Sequence, residues 1–134
     1  MAWSPVITTL RCDNPRAEIA FLRDAFGFTV HAVYPEDESQ PVMHAELAYG
    51  TGMVMLGSQT DGSDGRLAID IGPAWTYVIV DDVPAHHARA VEAGATIVQE
   101  PKDEDYGGAG YTAQDPRATT GASARTRRSP NSRV

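Results

Sequence analysis

The sequence predicts an α+β fold that contains an internal repeat. Short runs rich in β-branched and aromatic residues are typical of strands. Two segments with apolar residues three and four positions apart are typical of helices. Both helical segments stop at a glycine, Gly27 in the first and Gly94 in the second. The same order of strand, helix and strands occurs on both sides of a polar, glycine-rich stretch, Ser58–Pro73.

The first copy begins with a strand at Val6–Cys12. A helix follows, because "DNP" at Asp13–Pro15 supplies a capping residue and an early proline. Ile19, Leu22 and Phe26 give that helix one apolar face. Three more strands are predicted, and "YGTG" makes the last two a hairpin: Thr29–Tyr34, Met43–Tyr49 and Met53–Gly57.

The second copy repeats this order with one strand fewer. It reads as a strand at Trp75–Val80, a helix at Val83–Ala93 and a strand at Thr96–Glu100, followed by a strand within "YGGAGYTAQDP". The predicted order is therefore βαβββ, a linker, and βαββ.

Length and composition limit the possible classes of protein. A chain of 134 residues fits one domain and can bury a core. We expect no membrane span, because no run of about 18 apolar residues occurs, and no signal peptide. Cys12 has no second cysteine to pair with, which favours a reducing, cytoplasmic location.

Charge is distributed unevenly along the chain. All 18 acidic residues lie at or before Asp115, whereas five of the 11 basic residues follow Pro116. Residues 1–116 thus carry six basic and 18 acidic groups, a net charge of −12. Such an acidic body argues against nucleic acid or an anionic membrane surface as a partner.

Four segments together resemble the vicinal oxygen chelate superfamily of glyoxalases, bleomycin-resistance proteins and extradiol dioxygenases: "TLRCDNPRAEIAFLRDAFGF", "HAELAYGTGMVMLG", "TYVIVDDVPAHHARAVEAGATIVQEPKDEDYG" and "YTAQDP". The resemblance covers Pro5–Pro116. It implies two βαβββ modules, each curling into half of an open cup, commonly completed in a homodimer. Residues 1–116 would form one domain, with a first module at 5–58, a linker at 59–74 and an incomplete second module at 75–116.

The last residues depart from the family pattern. The family's second module ends close to "DP-x-G-N-x-W-S-F-G", whereas this chain continues "DPRATTGASARTRR". Regrouping the codons of Arg117–Thr126 one base earlier permits "G-N-H-W-S-F-G-T-Y", the expected strand. We infer a frameshift near Arg117, so that residues 117–134 form an aberrant basic tail and the last strand is lost or altered. The alternative is a disordered basic extension, and resequencing the gene separates the two.

The resemblance also implies where metal ligands would stand. Metal-dependent members place a His or Gln in the first strand of each module and a Glu in the fourth strand. Ile7, Met55 and Trp75 occupy three of these positions, and the fourth falls in the missing strand. None of these side chains can bind a hard divalent cation through oxygen or imidazole. We therefore expect no metal and no other cofactor.

Strand alternation predicts which side chains line the cup. Counting from Ile7 places Arg11 inward, with Leu10 and Cys12 toward the helix. The predicted lining is rich in aromatic and thioether groups and suits a flat or amphipathic small molecule. The predicted ligand-binding residues are Arg11, His44, Met53, Met55, Trp75, Tyr77 and Tyr111.

Each candidate also has a plain structural interpretation. Met53, Met55 and Trp75 could simply pack, and Arg11 could clamp an anionic group or balance Glu46. His44 and Glu46 are candidate catalytic residues, although strand neighbours two positions apart more often lie side by side than bond. The helical pair His86 and His87 is expected to be solvated, and Cys12 to be buried.

Two functions remain open at this level. The first is a metal-free protein that binds a small hydrophobic or aromatic molecule, as in drug sequestration. The second is a glyoxalase-type lyase or isomerase, or a dioxygenase-like enzyme, acting on a small oxygenated substrate. A damaged copy without activity is a third possibility.

Overall fold

The computed structural model describes residues 3–59, 62–63, 75–103, 108–116 and 121–125, with the backbone alone at Trp75 and at 121–125. Most of the predicted linker lies outside these ranges. The elements are β1 Thr8–Cys12, α1 Pro15–Asp24, β2 Thr29–Tyr34, β3 His44–Tyr49, β4 Gly52–Ser58, β5 Trp75–Ile79, α2 Val83–Glu92, β6 Thr96–Asp103, β7 Ala109–Gln114 and β8 Gly121–Arg125.

The strands form two sheets with the same topology. The first has the order β1-β4-β3-β2 and the second the order β5-β8-β7-β6. In each sheet the first and last strands of the module pair in parallel, and the other neighbours pair antiparallel. The internal repeat is thus confirmed as two βαβββ modules.

The structure corrects the expected loss of the last strand. β8 pairs in parallel with β5 and antiparallel with β7, so that Gly121 stands between Trp75 and Gln114. Without a strand between them, β5 and β7 would each present unpaired backbone donors and acceptors. An extended segment satisfies these groups whatever its side chains are. The remainder of the predicted tail, residues 117–120 and 126–134, lies outside the described residues. The frameshift stays a prediction.

Both helices begin with the caps that their sequences provide. The side chain of Asn14 accepts a hydrogen bond from the Ala17 N–H at 3.2 Å, and Asp82 accepts one from the Ala85 N–H at 3.0 Å. A proline stands in the first turn of each helix. Each helix has ten residues, and no helix of the described chain is long and apolar enough to cross a membrane.

Alternate residues of both sheets bury their side chains in one hydrophobic core. Cys12, predicted to be buried, is fully enclosed there. The burial of apolar surface is the main stabilising contribution to such a core. Its members from the strands include Leu10, Cys12, Leu47, Val54 and Leu56 of the first module, and Val78, Tyr111 and Ala113 of the second.

His86 of α2 connects the two modules. Its Nε2 lies 2.9 Å from the carbonyl oxygen of Phe26, and its Nδ1 lies 2.6 Å from the hydroxyl of Tyr111. A carbonyl can only accept, so Nε2 donates to Phe26, and in the neutral ring Nδ1 accepts the Tyr111 hydroxyl proton. The expectation that His86 is solvated is wrong: with Val83 and Ala90, it belongs to the buried stripe of α2.

Arg89 makes a second connection between the modules. Its guanidinium donates to the carbonyl oxygens of Asp24 and Arg23, both at 3.1 Å. Carbonyls in the last turn of a helix lack helical partners, and a cation there interacts favourably with the negative end of the helix dipole. Gly27 has φ +81°, and a Cβ on it would lie 3.2 Å from Arg89 Nη1, so both its backbone angle and this close approach favour glycine.

We expect His86→Leu to lower the free energy of unfolding by about 2–4 kcal/mol, because it leaves two buried polar groups unpaired. Burial lowers the pKa of His86 below its ordinary value of 6.5, against the raising effect of the Phe26 carbonyl. The unfolded chain therefore takes up the proton first as the pH falls. The stability from neutral His86 is present above about pH 6.5 and lost below it. Urea denaturation between about pH 8 and about pH 5 measures both effects.

Tyr111→Phe is the control for this prediction. It removes one of the two partners of His86 and should therefore cost less than His86→Leu. The difference in stability between wild type and His86→Leu should shrink as the pH falls. A difference that stays constant over the whole pH range would contradict the assigned protonation state.

Candidate functional site

The candidate site lies on the face of the first sheet that points away from α1, here called the open face. Leu10, Leu47 and Leu56 point to the core and are buried, so the residues that alternate with them point the other way. The open face therefore carries Thr9, Arg11, His44, Glu46, Met53 and Met55, together with His31 and Tyr34 from β2.

Strand register brings these side chains together from four strands. Met55 of β4 stands opposite Thr9 of β1 on one side and Glu46 of β3 on the other. Tyr34 of β2 stands opposite His44. The structure thus places Arg11, His44, Met53 and Met55 on the face that alternation predicted. Their contact with a ligand remains a prediction.

The Glu46 carboxylate lies between two imidazoles. His44 Nε2 is 2.9 Å from Glu46 Oε2, a hydrogen bond, and His31 Nε2 is 3.8 Å from Glu46 Oε1. The interpretation in which His44 and Glu46 merely lie side by side is therefore wrong. About a quarter of the Glu46 side chain remains exposed, at 23%. This hydrogen bond at Nε2 fixes the orientation of the His44 ring, and a general base must be positioned in this way.

Sequence reasoning missed His31 because of a β-bulge. The register between β2 and β3 shifts between Val30 and Ala32, which makes His31 the extra residue. Strict alternation would put His31 and Tyr34 on opposite faces, since they are three positions apart. The inserted residue restores both to the open face. Nothing in the sequence of β2 marks this position.

Two aromatic rings border these histidines. Trp3 contacts His31 edge-on, with ring centroids 5.4 Å apart, and Tyr34 stacks beside His44 at 6.3 Å. The chain next to Trp3 is attached to the β3–β4 turn by a hydrogen bond from the Ser4 N–H to the Thr51 carbonyl, 2.9 Å long. Both rings are partly exposed and so remain accessible to a bound molecule.

The side chain of Arg11 is half-buried, and within the described ranges it forms no hydrogen bond or ion pair. It therefore does not balance Glu46, whose carboxylate faces the histidines. The guanidinium lies across Gly57, its register partner on β4. A Cβ on Gly57 would collide with that guanidinium and stand 3.0 Å from the Met43 carbonyl oxygen, so a larger residue here would displace the Arg11 side chain.

The second module supplies fewer of the predicted residues. Tyr77 and Ile79 alternate with the buried Val78 and are 53% and 45% exposed. The side chain of Trp75 is outside the described part of the structure. Tyr111 is not in the cup: it is 1% exposed and bonded to His86, because its face of β7 packs under α2. Burial raises the pKa of Tyr111 accordingly.

His87 differs from its buried neighbour His86. Its side chain is 21% exposed, and its Nε2 lies 3.0 Å from a Glu100 carboxylate oxygen. The geometry of that approach does not form a hydrogen bond, so the contact is ionic at most. The ring packs edge-on against Tyr111, with centroids 5.1 Å apart. The expectation that His87 is solvated is therefore also wrong: its side chain is mostly covered and lies away from the open face.

A cavity of about 510 Å³ opens at the end of the first sheet, where the β3–β4 turn faces β5. It lies between the N-terminal segment at Ser4–Thr8, the β3–β4 turn and β5. Met53 and Tyr77, two of the predicted ligand-binding residues, line it, and apolar groups such as Val6 and Phe28 complete the wall. This volume falls in the range of small-molecule sites. Met53, which is 8% exposed, is the residue of the open face that lines this cavity, whereas Thr8 and Val54 line it from the core side of the sheet.

The residues present do not fit a metal site of the family type. Ile7 and Met55 offer no oxygen or imidazole donor, and a thioether is a ligand for soft ions only. Among the residues that the structure describes, no group of three or more His, Cys, Asp or Glu side chains is arranged to hold a metal ion.

Comparisons with known proteins agree with this fold. The family model "Glyoxalase/Bleomycin resistance protein/Dioxygenase superfamily" matches residues 5–118. The structure is similar to TioX from Micromonospora sp. ML1, with a TM-score of 0.78 and 26% sequence identity, covering 92% of this chain and 98% of that one. No curated protein matches the chain.

Two further solved structures share the fold at lower identity. TnmS3, described as an antibiotic binding protein from Streptomyces sp. CB03234, is 19% identical with a TM-score of 0.71, covering 96% of this chain and 99% of its own. A lactoylglutathione lyase from Agrobacterium tumefaciens is 17% identical with a TM-score of 0.68, covering 92% of each chain.

Gly57→Ala should displace the Arg11 guanidinium and destabilise the protein by about 1–3 kcal/mol, the usual effect of overpacking. In the double variant Arg11→Ala/Gly57→Ala the collision with the guanidinium is absent, while the approach to the Met43 carbonyl remains. The two substitutions should therefore be non-additive, the double variant losing less than the sum of the single ones. Urea denaturation of all four proteins gives the coupling. Additive losses would mean that Arg11 does not lie across Gly57.

Proposed function

Because the chain belongs to the glyoxalase/bleomycin resistance protein/dioxygenase superfamily, we propose that it binds a small hydrophobic or aromatic molecule without a metal, as a sequestering protein does. One observation carries the proposal. Thioether and aromatic groups, Met53 and Tyr77 among them, line a cavity of about 510 Å³, while Ile7 and Met55 replace the donors that metal-assisted chemistry in this family would need.

The composition of the site supports binding of a flat molecule. Met53 and Met55 are flexible and polarizable and adapt to irregular ligand shapes, and Tyr34 and Tyr77 present exposed rings for stacking. The same fold serves antibiotic binding in TnmS3. This precedent favours an aromatic antibiotic among the ligands to be tried.

A second copy of the chain would complete the cup in this proposal. The side chains of Tyr34, Tyr77 and Ile79 are 54%, 53% and 45% exposed in a single protomer. A homodimer that apposes the first module of one protomer to the second module of the other would enclose the ligand. The thiol of Cys12 is fully buried, and the proposed setting is the reducing cytoplasm.

The hydrogen bond between His44 and Glu46 favours a second candidate function. A carboxylate that orients an imidazole is the arrangement of a general base. In this alternative the protein is a glyoxalase-type lyase or isomerase that moves a proton on a small oxygenated substrate, with His44 taking the proton and Glu46 stabilising the charged ring.

Binding is tested by isothermal titration against a panel of flat aromatic antibiotics. We expect Met55→Ala and Tyr77→Ala each to weaken the tightest interaction by about tenfold, which corresponds to about 1.4 kcal/mol of lost contact. Val91→Ala is the matched control, because Val91 is an exposed apolar residue on α2 away from the site. Equal affinity in all three variants would place the ligand elsewhere.

The enzymatic alternative is tested with a 2-oxo thiohemiacetal as substrate. If it holds, purified protein turns the substrate over, and His44→Gln lowers kcat by about 10²-fold or more, as expected for loss of a general base. His87→Gln is the control, since His87 lies outside the open face. Absence of turnover in the wild type, or turnover that survives in His44→Gln, argues against this function.

Stoichiometric Zn²⁺, Ni²⁺ or Fe²⁺ in the purified protein would argue against metal-free binding.

A further inference from the structure

We infer that the ligand of the open face is an aromatic anion, a flat apolar molecule with a carboxylate or another acidic oxygen group, and that Arg11 binds this group. The inference rests on the proposed binding function and specifies the ligand class. It follows from the surroundings of one guanidinium.

Arg11 is a half-buried cation for which the described residues provide no acid. Removing a charge from water is unfavourable unless a partner compensates for it. Glu46 is the acidic group of the open face, and its two carboxylate oxygens lie 2.9 Å from His44 and 3.8 Å from His31. Among the described residues, no group accepts a hydrogen bond from the five N–H donors of the guanidinium. Their planar fork matches a carboxylate in two parallel hydrogen bonds.

The position of the guanidinium also points to a ligand. Arg11 stands on β1, an edge strand of its sheet, from which a long side chain can extend freely into water. It lies instead across Gly57 of β4, toward the middle of the face. The missing side chain of Gly57 makes room for this conformation. The sheet thus holds a cation inside the site, where a bound molecule would meet it.

The groups next to Arg11 fit the remainder of such a ligand. Met55 is two residues from Gly57 on the same side of β4 and presents its thioether to the open face. On the strands that follow β4 across the sheet, the ring of Tyr34 stacks beside His44. An acidic oxygen at Arg11 would thus leave an attached aromatic body over the polarizable surface of Met55. A cationic ligand fits less well, because the Glu46 carboxylate is already occupied by histidines.

The test compares three probes of the same size: 2-naphthoate, its neutral analogue 2-naphthamide, and the cation 2-naphthylmethylammonium. Isothermal titration should show that wild-type protein binds the naphthoate about tenfold or more tightly than the amide. In Arg11→Met, which keeps an unbranched apolar stem and removes the charge, this preference should disappear. Affinity for the amide should stay within about twofold of wild type. Arg11→Lys should keep part of the preference.

The outcomes separate this inference from the proposed function. Equal affinity for naphthoate and amide, a preference for the ammonium, or a preference that survives in Arg11→Met would overturn the anion site, while the binding function would stand. Failure of all three probes to bind would count against both. Urea denaturation of Arg11→Met verifies its folding. If it is unfolded, Arg11→Gln takes its place in the same comparison.

Discussion

The buried connection between the modules determines which surfaces the protein can use. His86 joins the Phe26 carbonyl to the Tyr111 hydroxyl, and Arg89 covers the last carbonyls of α1. Both contacts attach α2 to the end of α1. They allow the helix-facing sides of both sheets to share one core. The opposite sides, which include the open face, are consequently left for binding.

The open face combines two chemistries that a core would not tolerate together. Its thioether and aromatic groups provide adaptable apolar contact. Its charges are separated: Glu46 contacts His44 and His31, whereas Arg11 lies over Gly57 with no acidic partner among the described residues. A face that sequesters any apolar molecule would not need a cation there. In our proposal this guanidinium beside a polarizable surface provides selectivity as well as affinity.

The elements were predictable because their signals are local. Caps at Asn14 and Asp82, glycines after the helices and alternation in the strands each act over a few residues. The exception is β8, whose side chains carry no strand signal in "GASAR". It was missed because strand formation there depends on the partners β5 and β7, which offer their backbone groups from both sides. The positions of His86 and Tyr111 were likewise decided by packing between distant segments.

By itself the sequence determined the repeated order of strand, helix and strands as far as β7, the acidic character of residues 1–116, and the absence of oxygen and imidazole donors at Ile7 and Met55, because these depend on residue type and short-range order. The tertiary structure decided which polar groups meet. The bulge that brings His31 to Glu46, the hydrogen bond between Glu46 and His44, and the passage of Arg11 over Gly57 all require strands to be paired in register. Register arises from contacts between residues far apart in the chain, so no local pattern could reveal it.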